Sequence, residues 1–187
     1  MRFQRYRRLQ YFKNTSLVLE TDTALLFRRS PEFTTITILN ETTDMPMIDI
    51  YATTGTFQNV HQLAMDAAAV VKAVEGVPDI ALFRKNTAAF VHELPKGALS
   101  NVDGDSNYVR IHVTTNIGAL TQREKQIAIV RQLTELAARA AGDPTLSDRT
   151  WVILTEAIAG GWGLKGHAHT NDELVSAARA EMAKLKG

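Results

Sequence analysis

The sequence predicts an α/β (α+β) protein in which two β-α-β units form one four-stranded mixed sheet with two helices on one face. Two observations predict this fold. An alternating strand occurs twice at an offset of 61 residues, so that Ile50 matches Ile111 and Ala52 matches Val113. Each of these strands precedes a helical apolar stripe and then a second apolar segment. A long crossover helix makes the two strands of each unit parallel, with a right-handed connection.

The first unit is predicted over residues 46–100. In the segment PMIDIYA, Ile48 and Ile50 alternate with polar residues, as in a half-buried strand. A helix follows and stops at Gly76, with Pro78 just beyond it. The segment IALF is predicted to begin the second strand, which continues through NTAAFVHELP. The helical stripe consists of Leu63, Ala67, Val70, Val71 and Val74.

The second unit is predicted over residues 107–169. Its first strand is NYVRIHVTT, and its last strand is TWVILTEA, which is rich in branched and aromatic residues. Between them, Thr121 and Glu124 in the segment TQRE predict a capping box at the start of the helix. The helix is expected to end at Gly142. Its predicted stripe consists of Ile127, Val130, Leu133, Ala137 and Ala141.

The end of the chain predicts a short hairpin and a final helix. The segment GGWGLKG has four glycines, which suit a tight turn. A C-terminal amphipathic helix is predicted at 171–186. Its stripe consists of Leu174, Ala178, Met182 and Leu185.

Composition limits the classes of function. The chain has 187 residues and a net charge of +1, which gives no global reason to expect a nucleic-acid or anionic-membrane partner. No apolar run approaches the roughly 18 residues that a membrane-spanning helix needs. The chain has no cysteine, which excludes disulfides and thiol catalysis and makes a cytoplasmic location the expectation.

Residues 1–44 are predicted to be an N-terminal extension outside the domain, which is assigned to 46–187. The opening MRFQRYRRLQYFK interleaves basic and aromatic side chains, a pattern compatible with RNA or membrane-surface binding. A variable, artefactual or processed extension is preferred over such a binding tail. The boundary would be wrong if TTITIL, at 34–39, formed a strand of the domain.

The segments MPMIDIY and RTWVILTEAIAGGWGLKGH, together with the doubled β-α-β pattern, resemble the tautomerase superfamily. This superfamily includes 4-oxalocrotonate tautomerase, malonate semialdehyde decarboxylase and cis-3-chloroacrylic acid dehalogenase. The resemblance covers Pro46 to about His169 as two fused units. It implies a sheet-and-helix fold and a catalytic proline that directly follows the initiator methionine.

The resemblance makes Pro46 the predicted catalytic residue. The reactive group in the superfamily is the secondary amine of an N-terminal proline, which can hold or release a proton near neutral pH. In the chain as written, Met45 acylates Pro46, so that its nitrogen is an amide. Either translation starts at Met45 and the methionine is removed, or the extension is retained and the proline chemistry is blocked.

The resemblance also implies arginines that bind a substrate carboxylate, and here the sequence departs from the family. Thr54-Gly55-Thr56 and Thr114-Thr115-Asn116 stand at one expected arginine position in the two units, and Trp151 stands at another. Trp162 matches the aromatic residue that lines the family's pocket. The predicted substrate-binding residues are Arg84, placed on the first unit's second strand, Tyr108, Arg110, Arg149, Trp151 and Trp162.

Other chemistries have weaker signals. His167 and His169 form an H-x-H pair that could bind a metal together with His92 or Glu156, but a polar turn is preferred and no metal is expected. GGWGLKG lacks the GK[ST] ending of a phosphate loop. VDGDSN lacks the twelfth-position glutamate of a calcium loop.

The leading prediction is therefore a cofactor-free tautomerase or isomerase that acts on a small oxo-acid or enol. The alternatives are a hydratase, dehalogenase or decarboxylase of the same superfamily, and a non-catalytic oligomeric binding protein with a blocked proline. One face of the sheet carries aromatic and polar side chains that no helix is expected to cover, so that a homotrimer is predicted. These side chains are Met47, Asp49, Tyr51, Tyr108, Arg110 and His112.

Overall fold

The structure is a computed structural model and describes residues 45–185. Its main sheet has four strands: β1 (Met47–Thr53), β2 (Ala88–Leu94), β3 (Val109–Thr115) and β4 (Thr150–Glu156). Their order in the sheet is β2-β1-β3-β4. β1 pairs with β2 in parallel and with β3 in antiparallel orientation, and β3 pairs with β4 in parallel. The predicted mixed sheet of two β-α-β units is confirmed.

Four α-helices and a small hairpin complete the described chain. A 3₁₀ helix, Pro144–Arg149, leads into β4. The hairpin strands are β5 (Trp162–Leu164) and β6 (His167–His169). The helices are α1 (Val60–Glu75), α2 (Ala81–Asn86), α3 (Arg123–Ala141) and α4 (Asn171–Leu185). No helix in this part of the chain is long and apolar enough to cross a membrane.

The main core lies between the sheet and the two crossover helices. Alternate residues of β1 and β3 face α1 and α3, since successive strand side chains point to opposite faces. The first crossover helix ends as predicted, because Gly76 adopts a left-handed φ of 71° and its N–H bonds to the Lys72 carbonyl. Residues buried in this core include Ile48, Ile50, Leu63, Val71, Ile111, Val113 and Leu133.

The segment IALF does not form the strand that the sequence predicted. It begins α2 instead, and β2 starts only at Ala88. Ile80 and Phe83, three residues apart, are both buried in a second core cluster, while Arg84 is exposed. This spacing is that of a helix, and the short apolar run concealed it.

The predicted stripe and cap of the second crossover helix were partly wrong. Ile127 and Val130 are exposed, and the buried side of α3 is centred on Ile129 and Leu133. The TQRE capping box does not form, since the cap residue is Gln122, and the Thr121 hydroxyl donates instead to the Gly118 carbonyl at 3.1 Å. The helix begins at Arg123, one residue later than a cap at Thr121 would set, and no side chain caps it.

The hairpin, α2 and α4 enclose a second core cluster beside the start of β1. The Leu82 N–H donates to Glu181 Oε1 at 3.2 Å, which ties α2 to α4. TTITIL and the rest of the extension lie outside the described residues, so that the domain boundary stays a prediction. The buried members of the cluster are Met45, Val77, Ile80, Phe83, Trp162, Leu174 and Ala178.

Candidate active site

Pro46 lies directly before β1 and is buried. Its carbonyl oxygen accepts a hydrogen bond from the Ala88 N–H at 3.2 Å, which fixes the proline at the start of the β1–β2 pairing. Because Met45 is attached to its nitrogen, that nitrogen is a tertiary amide without a basic lone pair. In this covalent state Pro46 cannot take up or release a proton.

The Met45 side chain fills the space beside this nitrogen. It is 0% exposed and packs in the second core cluster with Phe83, Trp162 and Leu174. A thioether side chain adapts well to an irregular apolar space. If the chain began at Pro46, the freed amine would point to the volume that Met45 now occupies. The same residue therefore blocks the proline chemically and sterically.

Three side chains around this position carry buried polar atoms without a hydrogen-bond partner in the described part of the chain. They are the Nε1 of Trp162, the Oγ1 of Thr87, and both Oδ1 and Nδ2 of Asn116. Asn116 is 2% exposed and Trp162 is 8% exposed. Buried polar groups in native proteins are nearly always satisfied, so that these atoms are available to hydrogen-bond a polar ligand or water.

The strand register places Thr87 and Asn116 next to Met45 and Pro46. Met47 pairs with Ala88, so that extending this parallel pairing by one residue sets Pro46 beside Thr87. On the other side, Met47 pairs with Thr114 in antiparallel orientation. Extending that pairing by two residues sets Met45 opposite Asn116.

Trp162 reaches the site because a tight turn precedes it. The Gly161 N–H donates to the Ile158 carbonyl at 2.8 Å, and a Cβ on Gly161 would lie 2.9 Å from that oxygen. The turn thus requires glycine at 161, and Trp162 follows it as the first residue of β5. Trp162 shares the second core cluster with Met45, the residue before Pro46, and its role as a pocket wall stays a prediction.

Arg84 lies on α2 and not on a strand, contrary to the prediction. Its guanidinium donates to the Asp79 carbonyl at 2.8 Å and forms an ion pair with the Asp79 carboxylate at 3.3 Å. Lys72 and Arg84 hold the pKa of Asp79 below its usual value, mainly through the Lys72 hydrogen bond. Among the predicted arginines, Arg84 lies on the helix that packs near Met45. Phe83, the residue before Arg84, belongs to the same core cluster as Met45.

Tyr108, Arg110 and Trp151 lie together on the sheet face opposite α1 and α3. The Tyr108 and Trp151 rings stack at 4.6 Å, and the Arg110 guanidinium lies 5.4 Å from the Tyr51 ring centroid. Arg110 pairs with Tyr51, five residues along β1 from Pro46. At a rise of about 3.3 Å per residue, this is about 16 Å from the proline within one chain.

Arg149 lies at the opposite end of the sheet. It donates to the Asn107 carbonyl and to the Asp143 carboxylate, each at 2.7 Å. Hydrogen bonds from Thr145, above all from its hydroxyl, lower the pKa of Asp143, and the contact with Arg149 lowers it further. Asn107, Asp143 and Arg149 border a cavity of about 480 Å³ that Lys96 also lines. Asn107 matches Pro46 at the repeat offset of 61 residues, so that this cavity is the second unit's counterpart of the proline site.

The structure therefore packs Trp162 in the same cluster as Met45, the neighbour of Pro46 in the chain, and places the other predicted residues elsewhere. Thr87 and Asn116 were not predicted as site residues. Asn116 had one signal in the sequence, since it ends the Thr114-Thr115-Asn116 segment where the family has an arginine. Its burial and its lack of partners are visible only in three dimensions.

Several solved structures have a similar fold. Pt0534, inactivated by 2-oxo-3-pentynoate, aligns with a TM-score of 0.56 and 20% identity over 68% of this chain and 98% of its own. A symmetric trimer of fused 4-OT aligns with a TM-score of 0.53 and 15% identity over 65% of this chain and 93% of its own. Malonate semialdehyde decarboxylase, described with decarboxylase and hydratase activities, aligns with a TM-score of 0.52 and 18% identity over 70% and 97%.

No protein-family model and no curated protein sequence matches the chain. The structural similarities nevertheless agree on one architecture: the chain has the tautomerase-superfamily fold. The similar structures include a tautomerase, a dehalogenase-family member and a decarboxylase of that superfamily. At these identities the comparisons establish the fold, and the activity requires a separate argument.

Proposed function

We propose that the chain, once it begins at Pro46, is a cofactor-free tautomerase for a small oxo-acid or enol. The burial of Met45 beside unsatisfied polar groups supports this proposal most directly. Loss of Met45 would free the proline amine and, in the same step, open an apolar space beside it. The proline would then face Trp162, Thr87 and Asn116, which offer donors to a polar substrate.

In the proposed reaction the neutral Pro46 amine takes a proton from the carbon next to the substrate carbonyl. The C–H electron pair forms the new C=C bond, and the carbonyl oxygen becomes an enolate. The protonated amine then gives its proton to that oxygen, or to another carbon of the conjugated system. The Trp162 N–H and the Asn116 amide are suited to stabilise the developing oxyanion, because donors fixed in a dry site act strongly.

An arginine that binds the substrate carboxylate would have to come from Arg84 or from a neighbouring subunit. Arg110 is about 16 Å from Pro46 along the strand of the same chain.

We propose a homotrimer, in line with the fused 4-OT trimer of the same fold. The exposed sheet face supports this assembly, since Phe90, Trp151 and Ile153 are 50%, 43% and 41% exposed there. Sedimentation equilibrium tests it, and a stable monomer would contradict it.

The activity test compares the full chain with a chain that begins at Pro46, with intact mass verifying both N-termini. The shorter protein should catalyse phenylpyruvate keto–enol exchange, with a rate that rises with pH as the amine loses its proton. The ordinary pKa of an α-amino group is about 7.7–8.0. The Pro46→Ala variant of the shorter protein should lose this activity, and the full chain should have none.

A covalent probe makes the test independent of the choice of substrate. Pt0534 is inactivated by 2-oxo-3-pentynoate. If the proposal holds, this compound should add once to the shorter protein, and peptide mapping should locate it on Pro46. Equal activity or labelling in full and shorter proteins would overturn the proline mechanism. His92 or Glu156 would then be the proton carriers to examine.

The burial of Met45 also favours a second candidate function for the uncleaved chain. With Met45 seated in the cluster, the proline site is closed, as in a non-catalytic oligomeric binding protein. Hydratase, dehalogenase and decarboxylase activities remain the alternatives within the fold, and a cytoplasmic location stays a prediction. N-terminal sequencing of the protein from its native source decides between the blocked and the free proline.

A further inference from the structure

The hairpin strand β6 presents two histidines on one side. His167 and His169 are two residues apart, and side chains at this spacing share a face of a strand. Their rings meet edge to face, with centroids 4.5 Å apart. Two neighbouring imidazoles of this kind can contribute nitrogen ligands to one metal ion.

Glu173, in the first turn of α4, supplies a carboxylate to the same place. Its Oε2 accepts hydrogen bonds from the Thr170 N–H at 2.7 Å and from the Thr170 hydroxyl at 3.1 Å. This capping box fixes the carboxylate and leaves Oε1 pointing at His167, with Oε1 and Nε2 3.1 Å apart.

His169 provides an independent sign of a missing partner. Its Nδ1 atom is buried and has no hydrogen-bond partner in residues 45–185. One ligand atom from each of His167, His169 and Glu173 lies within 4.8 Å of the other two. Neither His92 nor Glu156 joins them: His92 pairs with Asp49 at 2.6 Å, and Glu156 accepts the Leu120 N–H at 2.7 Å.

We propose that His167, His169 and Glu173 bind a divalent transition-metal ion of the Zn²⁺ type. Two imidazole nitrogens and one carboxylate oxygen form a donor set that suits zinc and leaves a fourth position for water. Metal–ligand distances of about 2.0–2.1 Å imply ligand atoms about 3.3 Å apart in a tetrahedral site. The His167–Glu173 pair already has this spacing, and His169 has to close a gap of at most about 1.5 Å.

The ion would fasten the hairpin to α4. His169 pairs with Trp162 across the hairpin, and Leu174, next to Glu173, packs in the second core cluster. A metal ion at this position would hold together the two elements that cover Met45. The site does not depend on the proposed tautomerase activity, and the effect proposed for the ion is to link the hairpin to α4.

The test uses the full chain without an affinity tag, stripped with a chelator and titrated with ZnCl₂ in a calorimeter. We expect one ion per chain, and a rise in Tm with zinc concentration, because the metal binds the folded state. His169→Ala and Glu173→Gln should each weaken binding at least tenfold. Glutamine keeps the side-chain acceptor of the capping box but not the charge. His61→Ala, an exposed histidine on α1, is the matched control and should bind zinc as the unaltered chain does.

Cobalt provides a second measurement, since Co²⁺ in a tetrahedral site has an intense visible absorption that should vanish in the same variants. Circular dichroism confirms that each variant is folded, and the exposed His167→Ala replaces His169→Ala if that variant does not fold. The proposal is wrong if zinc binds without saturation, or if binding is unchanged in His169→Ala and Glu173→Gln. Either result would leave His167 and Glu173 as a simple ion pair.

Discussion

The substitution Met45→Ala in the full chain tests whether Met45 is a structural residue. Met45 is 0% exposed among apolar partners, including Phe83 and Trp162. Truncation of a fully buried methionine to alanine costs about 2–5 kcal/mol, because apolar contacts are lost and a cavity remains. A loss of about 3 kcal/mol corresponds to a fall in Tm of about 6–12 °C for a chain of this size.

Met65→Ala is the matched control, since it is the same chemical change at a side chain that is 54% exposed on α1. Surface substitutions of this kind change stability by about 0.5 kcal/mol or less. Calorimetry or urea unfolding of both variants at equal concentration gives the comparison. If Met45→Ala and Met65→Ala have the same small effect, Met45 is not packed as described and the steric part of the blocked site is refuted.

The same burial has a consequence for the form that begins at Pro46. That form lacks the Met45 side chain, so that its second core cluster contains a cavity until a ligand enters. A ligand that binds only the folded state raises the free energy of unfolding, and the increase grows with the ratio of ligand concentration to Kd. A substrate analogue should therefore raise the Tm of the shorter protein and leave that of the full chain unchanged.

Three further predictions concern the fold. Leu133→Ala, in the centre of the main core, should cost about 2–5 kcal/mol in urea unfolding. Gly76→Ala should cost about 1–2 kcal/mol, because Gly76 has a φ of 71° and a Cβ there meets no atom that could offset the strain. The pKa of Asp143 is lowered by Thr145 and Arg149, so that its contribution to stability is present above its unfolded pKa and is lost as pH falls through the lower folded value. Asp143→Asn should reduce the slope of stability against pH in acid, and an unchanged slope would contradict this assignment.

The sequence predicted those elements in which one periodicity dominates. β1 and β3 were found because apolar and polar residues alternate over seven positions, and the burial of their side chains follows that alternation. The end of α1 was found because Gly76 can adopt the left-handed conformation that a helix end favours. Local signals of this kind need no knowledge of tertiary contacts.

The wrong predictions arose where two local interpretations were equally good. IALF is apolar enough for a strand, and only the contacts of Ile80 and Phe83 with Met45 select the helix. In the second crossover helix, two apolar stripes compete, and packing against the sheet selects the one with Ile129. The candidate site depends even more on such contacts, because the burial of Asn116 has no sequence signal.

The two halves of the repeat show why one site per chain is expected. At the offset of 61 residues, Thr54 and Gly55 match Thr115 and Asn116. The first pair is exposed and the second is buried. The hairpin and α4 follow only the second unit, so that they cover only one end of the sheet, and Asn171 of α4 donates to the Ile117 carbonyl there.

Covering one end has a chemical consequence. An enclosed end excludes water and strengthens the effect of donors such as Trp162 and Asn116, whereas the open end beside Asn107 leaves Arg149 paired with Asp143. The nitrogen of Asn107 also cannot become a terminal amine, because Asn107 lies inside the chain between the two units. The hairpin and α4, which follow the repeat in the chain, therefore make the two ends of the sheet different. The reactive position is expected at the end where Met45 and Pro46 lie.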